Sequence, residues 1–184
     1  MSESFNQPAH EGNEPGAAVP GFAALSHDFD PAYEADVVVE QGDWAQARDG
    51  QVIATSGVMT CVAAAIYDSR RGAGYMAHTE GIALGSLEGA LAAAVREGGD
   101  PAALHIWLTG DAPLTKKFED YNAESRRVAV EMLTSAGVQN ANIEAAWLDQ
   151  PSQLADLVLD CRTGECSLAV FDMHAPEYDQ EGDQ

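Results

Sequence analysis

The chain has 184 residues, of which 46% are hydrophobic, and its 30 acidic residues against nine basic ones give a formal net charge of −21. This length predicts one domain with a sizeable core, and the acidic surface argues against nucleic acid or anionic membranes as partners because both are negatively charged. No stretch approaches the ~20 apolar residues of a membrane span. Residues 1–22 lack the basic start and apolar run of a secretory signal.

Both ends of the chain are predicted to be disordered arms. Residues 1–30 are rich in Gly, Pro and Ala, carry acids without a base and show no periodicity. Residues 176–184 have the same character. The folded domain is therefore predicted to span residues 31–175. With only three cysteines, a reducing compartment is expected, and we predict a cytoplasmic protein.

Between the arms, strand and helix patterns alternate along the chain. Apolar runs bounded by turn residues predict strands at residues 35–40 and 51–55, and residues 61–67 are apolar on both faces, as in a buried central strand. Helices are predicted after Ser86 and after Asn122, since each can cap a helix that ends at a glycine. Further strands are predicted at residues 74–79, 103–109, 142–148, 157–160 and 167–171. The sum is an α/β fold in which a central mixed or antiparallel sheet packs in layers with two principal helices.

The most informative segment contains a cysteine and a histidine that one hairpin brings together. If residues 61–67 and 74–78 pair antiparallel around Ser69 and Arg70, Cys61 faces His78, and a turn shifted by one residue leaves them diagonal neighbours. An imidazole can take the thiol proton, and the thiolate is the nucleophile. The alternative that this spacing leaves open is a small buried cysteine beside a histidine with a local partner.

The residues around this pair resemble a known family, the CheD-type chemoreceptor glutamine deamidases, which share their catalytic arrangement with the cytotoxic necrotizing factor class. A threonine stands six residues before the cysteine, and the histidine stands seventeen after it. The matching positions are Thr55, Gly57, Thr60, Cys61, Tyr67, Asp68, Gly72, Gly74, Met76, Ala77 and His78. The resemblance implies that Cys61 is the nucleophile, His78 the general base and Thr55 the group that orients the histidine.

The family's activity, carried over, is deamidation of glutamine side chains in a protein partner, chemoreceptors among them. Thiolate would attack the carboxamide, ammonia would leave, and water would release glutamate from a thioester. Backbone N–H groups near Thr60 and Gly57 would stabilise the oxyanion. The resemblance implies no metal or organic cofactor, and the oligomeric state is left open.

Departures from the family pattern leave two alternatives open. Met59 replaces a glycine near the nucleophile, and Glu80 follows the histidine, where it would raise the pKa of His78 or narrow the choice of substrate. Arg70 and Arg71 in the turn are candidate substrate contacts, as are Met59 and Glu80. One alternative is a secreted effector, exported without a cleavable signal, that deamidates a foreign protein. The other is a non-catalytic binding module with the same fold, for which Met59 is the main argument.

Two further cysteines flank a predicted hairpin turn. Cys161 and Cys166 are separated by four residues, so either free thiols or a disulfide across the hairpin fits the spacing. No second pair of Cys or His stands at the spacing of a zinc site.

Overall fold

A computed structural model of the chain describes residues 19–26, 28–48, 50–80, 83–115 and 119–173, without the side chains of residues 119 and 120. The predicted C-terminal arm and residues 1–18 of the predicted N-terminal arm lie outside these ranges. Residues 19–26 and 28–30, which the prediction placed in the N-terminal arm, are among the described residues. Phe22 is buried in the core, and the Trp107 indole donates a hydrogen bond to the Gly21 carbonyl at 3.0 Å. These long-range contacts anchor a segment whose composition alone indicates disorder.

The described residues form ten strands and three α-helices. Their bounds are β1 (Ala23–Ala24), α1 (Pro31–Glu34), β2 (Val37–Val38), β3 (Trp44–Ala47), β4 (Val52–Val58), β5 (Val62–Asp68), β6 (Ala73–His78), α2 (Gly85–Arg96), β7 (His105–Gly110), α3 (Glu119–Ser135), β8 (Ile143–Trp147), β9 (Gln153–Asp160) and β10 (Glu165–Asp172).

The strands form two mixed five-stranded sheets. The order in the first sheet is β1-β10-β9-β4-β2, and the order in the second is β3-β6-β5-β7-β8. Each sheet combines antiparallel pairs with at least one parallel pair. The predicted layered α/β fold with two principal helices is confirmed, although two sheets take the place of the single central sheet.

The two sheets are explained by the apolar character of β5 on both faces. Ala63 faces a core shared with the first sheet, where it packs with residues such as Leu157. Ile66 faces the opposite side, where it joins a second core with Leu87 of α2. A strand with both faces apolar is stable only when both are covered. The first sheet covers one face and helices cover the other.

Three local features differ from the sequence-based expectations. Helix α3 begins at Glu119, three residues before the predicted cap Asn122, whose side-chain amide donates to the Asp111 carbonyl at 2.9 Å. Helix α2 begins at Gly85, and no side chain caps it, so Ser86 is not its cap. Strand β3 was not predicted because its sequence, Trp-Ala-Gln-Ala, has no run of β-branched residues.

The three cysteines are free thiols. In the β9–β10 hairpin Cys166 pairs with Leu159, so it does not lie opposite Cys161 and the disulfide alternative is wrong. Burial, followed by the Asp160 carboxylate, raises the pKa of Cys161 to about 11. Among the described helices, none is both long enough and apolar enough to cross a membrane.

Candidate functional site

The candidate site lies at the open end of the β5–β6 hairpin. Ala63 pairs with His78 in this hairpin, so its turn is centred one residue beyond the predicted position. Cys61 comes two residues before Ala63 and shares its face, since both belong to the core between the sheets. The thiol and the imidazole are therefore diagonal neighbours, the second of the two arrangements that the spacing allows.

The Nδ1 side of the His78 ring is hydrogen-bonded to Thr55 of the other sheet. Thr55 Oγ1 lies 2.8 Å from His78 Nδ1, and the same hydroxyl donates to the Val39 carbonyl at 2.8 Å. A hydroxyl has one proton to give, and the Val39 carbonyl can only accept it. Thr55 Oγ1 therefore accepts from Nδ1–H, which assigns the neutral imidazole its Nδ1–H tautomer and leaves Nε2 as the basic nitrogen.

The environment of His78 favours the neutral ring. His78 is 5% exposed, and this burial lowers its pKa below the ordinary value. The expectation that Glu80 would raise this pKa is wrong, because Glu80 is exposed and its backbone forms a bridge with Ala83. The imidazole is therefore ready to accept a proton near neutral pH.

The Cys61 sulfur has a hydrogen-bond donor that the sequence did not indicate. Gln41 Nε2 lies 3.2 Å from Cys61 Sγ, and among the described residues His78 is not the hydrogen-bond partner of the thiol. The turn that carries Gln41 is fixed to the histidine strand, because Gly42 N–H donates to the His78 carbonyl at 2.7 Å and His78 N–H donates to the Asp43 carbonyl at 3.0 Å.

The backbone on either side of the cysteine is held by the segment after β7. Asp111 N–H donates to the Cys61 carbonyl at 2.7 Å, and Ala112 N–H donates to the Met59 carbonyl at 2.8 Å. Gly110 precedes them with a φ of +98°, and a Cβ at that position would collide with the Cys61 carbonyl oxygen. Asp111 itself has a φ of 55°, an uncommon conformation that aspartate tolerates better than most residues. The close approach of this segment to the Cys61 backbone thus depends on a glycine at position 110 and an aspartate at position 111.

Arg126 of α3 keeps this segment in place. Its Nε lies 2.9 Å from the Asp111 carboxylate, and its Nη2 donates to the carbonyls of Asp111 and Leu148 at 2.9 and 2.6 Å. The guanidinium lies 5.5 Å from the centre of the Trp147 ring. Burial raises the pKa of the Asp111 carboxyl, and hydrogen bonding from Arg126 opposes the shift. Sequence reasoning missed this pair, because only the fold brings α3 against the end of β7.

The two residues predicted to support the oxyanion, Gly57 and Thr60, lie on the segment that leads to Cys61. Gly57 lies in a bulge of β4 between Thr55 and Val58, and its N–H donates to the Asp156 carboxylate at 2.9 Å. That N–H is therefore not available to an oxyanion in this structure. Thr60, like Met59, is half-buried in the bend that leads to Cys61.

The predicted substrate contacts Arg70 and Arg71 lie at the opposite end of the hairpin from Cys61. They occupy the turn after β5, whereas Cys61 precedes that strand, so roughly 20 Å of strand separates them. Arg70 lies 3.7 Å from the Asp100 carboxylate, and Arg71 lies 3.5 Å from that of Glu97. A hairpin turn and its open end are the two points of the ribbon that lie farthest apart, so both arginines are distant from Cys61, and their contact with a substrate stays a prediction.

Other features of the described residues lie away from the site. A cavity of about 490 Å³ is lined by residues of α2 and α3, mostly apolar ones such as Leu91, Val95 and Met132, and contains neither member of the Cys61–His78 pair. Within the ranges that the structure describes, no group of three or more His, Cys, Asp or Glu side chains is arranged to hold a metal ion.

Comparison with known proteins finds distant structural likenesses. No family model matches the chain, and no curated protein matches it. YfiH from Bacillus licheniformis, described as a hypothetical protein, is 16% identical with a TM-score of 0.48 over 72% of this chain and 61% of that one. YlmD from Geobacillus stearothermophilus is 12% identical with a TM-score of 0.44 over 79% and 72%. A Neisseria meningitidis protein described as DUF152 is 13% identical with a TM-score of 0.37 over 77% and 72%.

These likenesses are too distant to transfer an activity, and this chain spans about three fifths of the YfiH structure. The predicted membership of the CheD-type deamidases is nevertheless wrong, since the solved structures that match include YfiH, YlmD and the DUF152 protein. Protein-glutamine deamidation and a chemoreceptor role, which depended on that membership, are overturned with it. The prediction failed because a short motif around a thiol–imidazole hairpin specifies local geometry and neither family nor substrate.

Proposed function

We propose that this chain is an enzyme in which the Cys61 thiol attacks an acyl carbon while His78 moves the protons. The observation that carries the proposal is the hydrogen bond of 2.8 Å between Thr55 Oγ1 and His78 Nδ1, since it reserves Nε2 as the base. A nucleophile, a base and a third group that orients the base are the parts that thiol catalysis requires.

The reaction proceeds in two steps. His78 Nε2 takes the Cys61 proton, the thiolate adds to the carbonyl carbon, and the tetrahedral oxyanion collapses as the leaving group departs with the proton from Nε2. This leaves a Cys61 thioester. Water then loses a proton to Nε2 and attacks the thioester, and the sulfur leaves and regains its proton. The products are the carboxylic acid and the original leaving group.

The substrate class we propose is an ester, thioester or small amide with a slender acyl group. Cys61 is 7% exposed, and the neighbouring His78 is more deeply buried, so a bulky acyl group would not reach the sulfur. The net charge of −21 disfavours anionic substrates and favours neutral or cationic ones.

The test uses p-nitrophenyl acetate as a probe. Wild-type protein should release p-nitrophenolate in a burst and carry an acetyl group on Cys61, located by peptide mass spectrometry. Cys61→Ser and His78→Gln should each lower the burst rate by about 100-fold or more, because each removes one half of the proton-transfer pair. Cys161→Ser is the matched control and should react like the wild type.

Retention of the burst in Cys61→Ser, or acetylation of another residue in place of Cys61, would overturn the proposal. A wild-type protein that is not acetylated at Cys61 would overturn it as well.

A further inference from the structure

We infer that Gln41 is a further catalytic residue, whose side-chain amide stabilises the oxyanion that forms when Cys61 attacks an acyl group. The inference rests on the proposed function and deepens it. Its starting point is the distance of 3.2 Å between Gln41 Nε2 and Cys61 Sγ. The two residues are twenty positions apart in the chain, and Gln41 belongs to the turn between β2 and β3.

The main chain fixes this turn against the site. Gly42 N–H donates to the His78 carbonyl, and His78 N–H donates to the Asp43 carbonyl, at 2.7 and 3.0 Å. Gly42 has a φ of +88°, a conformation that favours glycine and lets the turn fold back on β6. The residue that contacts the sulfur and the residue that serves as base are therefore held by one turn.

The chemistry of the amide fits the developing charge. Nε2 carries two hydrogens and only donates. In the tetrahedral intermediate the sulfur and the oxyanion are bonded to the same carbon, so a mobile donor that reaches the sulfur can also turn toward the oxyanion. Gln41 is exposed, which leaves the side chain room to follow the charge from sulfur to oxygen. Glutamine side chains are among the donors that serve oxyanion holes.

A donor predicted from the sequence is already engaged elsewhere. Gly57 N–H donates to the Asp156 carboxylate at 2.9 Å, so it cannot serve the oxyanion without losing that bond. Gln41 Nε2 donates instead to the reacting sulfur itself. This difference makes Gln41 the better candidate of the two.

Two reagents for Cys61 separate this role from a structural one. Acetylation by p-nitrophenyl acetate passes through an oxyanion, whereas alkylation by iodoacetamide displaces iodide at a saturated carbon and forms none. Gln41→Ala should slow acetylation of Cys61 by about 100-fold and leave alkylation within about threefold of the wild type. Gln41→Glu should slow acetylation at least as much, because a carboxylate cannot donate and repels the oxyanion.

The matched control is Gln51→Ala, since Gln51 is also exposed and its side chain accepts from the Arg48 N–H at 3.0 Å. It should leave both rates unchanged, and all three variants should unfold at the wild-type temperature. Equal loss of acetylation and alkylation in Gln41→Ala would overturn the inference, as would unchanged acetylation. Failure of the wild type to become acetylated at Cys61 would instead be a failure of the proposed function.

Discussion

Thr55 Oγ1 and His78 Nδ1 lie 2.8 Å apart, although Thr55 belongs to β4 of the first sheet and His78 to β6 of the second. The two strands do not pair with each other, so this hydrogen bond crosses the interface between the sheets. Both side chains are buried. The proton state of the candidate base therefore depends on the packing of one sheet against the other.

Replacing Thr55 by valine should remove the hydrogen bond that fixes the His78 tautomer, because valine has nearly the same shape as threonine but no hydroxyl. The Val39 carbonyl and His78 Nδ1–H would each lose a partner, and buried polar groups left unpaired cost about 1–3 kcal/mol of stability. Ring-nitrogen NMR shifts of His78 should change from one tautomer to a mixture. Chemical denaturation would measure the loss of stability.

The control for this variant is Thr109→Val. Thr109 is also fully buried, and its hydroxyl donates to the Ala146 carbonyl at 2.8 Å, away from the histidine. A similar loss of stability with an unchanged His78 tautomer is expected. A single His78 tautomer that persists in Thr55→Val would refute the role assigned to the hydroxyl.

The stability of the protein should fall as the pH drops below about 6.5, the ordinary pKa of histidine. Burial lowers the pKa of His78 in the folded state, so below the ordinary value the unfolded chain gains a proton that the folded chain resists. The penalty begins near the unfolded pKa, grows as the pH falls and stops growing below the lowered folded pKa.

The measurement is the free energy of unfolding across this pH range. His78→Gln should flatten the slope, because the variant has no proton to gain at that position. His105→Gln, a change at an exposed histidine, is the matched control for the loss of a histidine. An unaltered slope in His78→Gln would show that another group is responsible.

Breaking the Asp111–Arg126 ion pair should lower the stability of the folded protein and change the reactivity of Cys61. Arg126→Met leaves the Asp111 carboxylate buried without its counter-charge, for which a loss of about 3–5 kcal/mol is typical. Because Asp111 N–H holds the Cys61 carbonyl, the alkylation rate of Cys61 should change as well. Denaturation and iodoacetamide labelling measure the two effects.

Arg127→Ala is the matched control for Arg126→Met. Arg127 follows Arg126 in the same helix, but it pairs with Glu124 and Glu131 on the exposed face, where ion pairs contribute little. The stability of the Arg127→Ala variant and the rate at which its Cys61 is labelled should match those of the wild type. A stable Arg126→Met variant with wild-type labelling would contradict the anchoring role.

The three thiols should react in a definite order. Burial raises the pKa of Cys161 to about 11 and that of Cys166 above its ordinary range, so neither provides much thiolate near neutral pH. Cys61 lies beside the neutral imidazole of His78, which can take the thiol proton. Iodoacetamide at neutral pH should therefore label Cys61 first, as measured by peptide mass spectrometry over time. Equal, slow labelling of all three would count against a reactive site.

Much of the fold could be predicted because local sequence patterns indicate its strands and turns. The run of apolar residues in β5 indicated a strand buried on both faces, and the turn after it indicated a hairpin. The helix starts were misplaced because Ser86 and Asn122 are good caps in isolation, whereas Asn122 is engaged by the Asp111 carbonyl. The segment around Phe22 likewise has distant partners that its composition does not indicate.

The sequence by itself determined that Cys61 and His78 lie on one face of a hairpin, because a short turn and the alternation of side chains fix the register within a narrow range. Only the tertiary structure decided what surrounds them. Thr55 reaches the ring across the sheet interface, Gln41 reaches the sulfur from a separate turn, and Asp111 N–H holds the Cys61 carbonyl. These contacts join residues between 20 and 50 positions apart, and the packing of two sheets and a helix determines them, which no local pattern encodes.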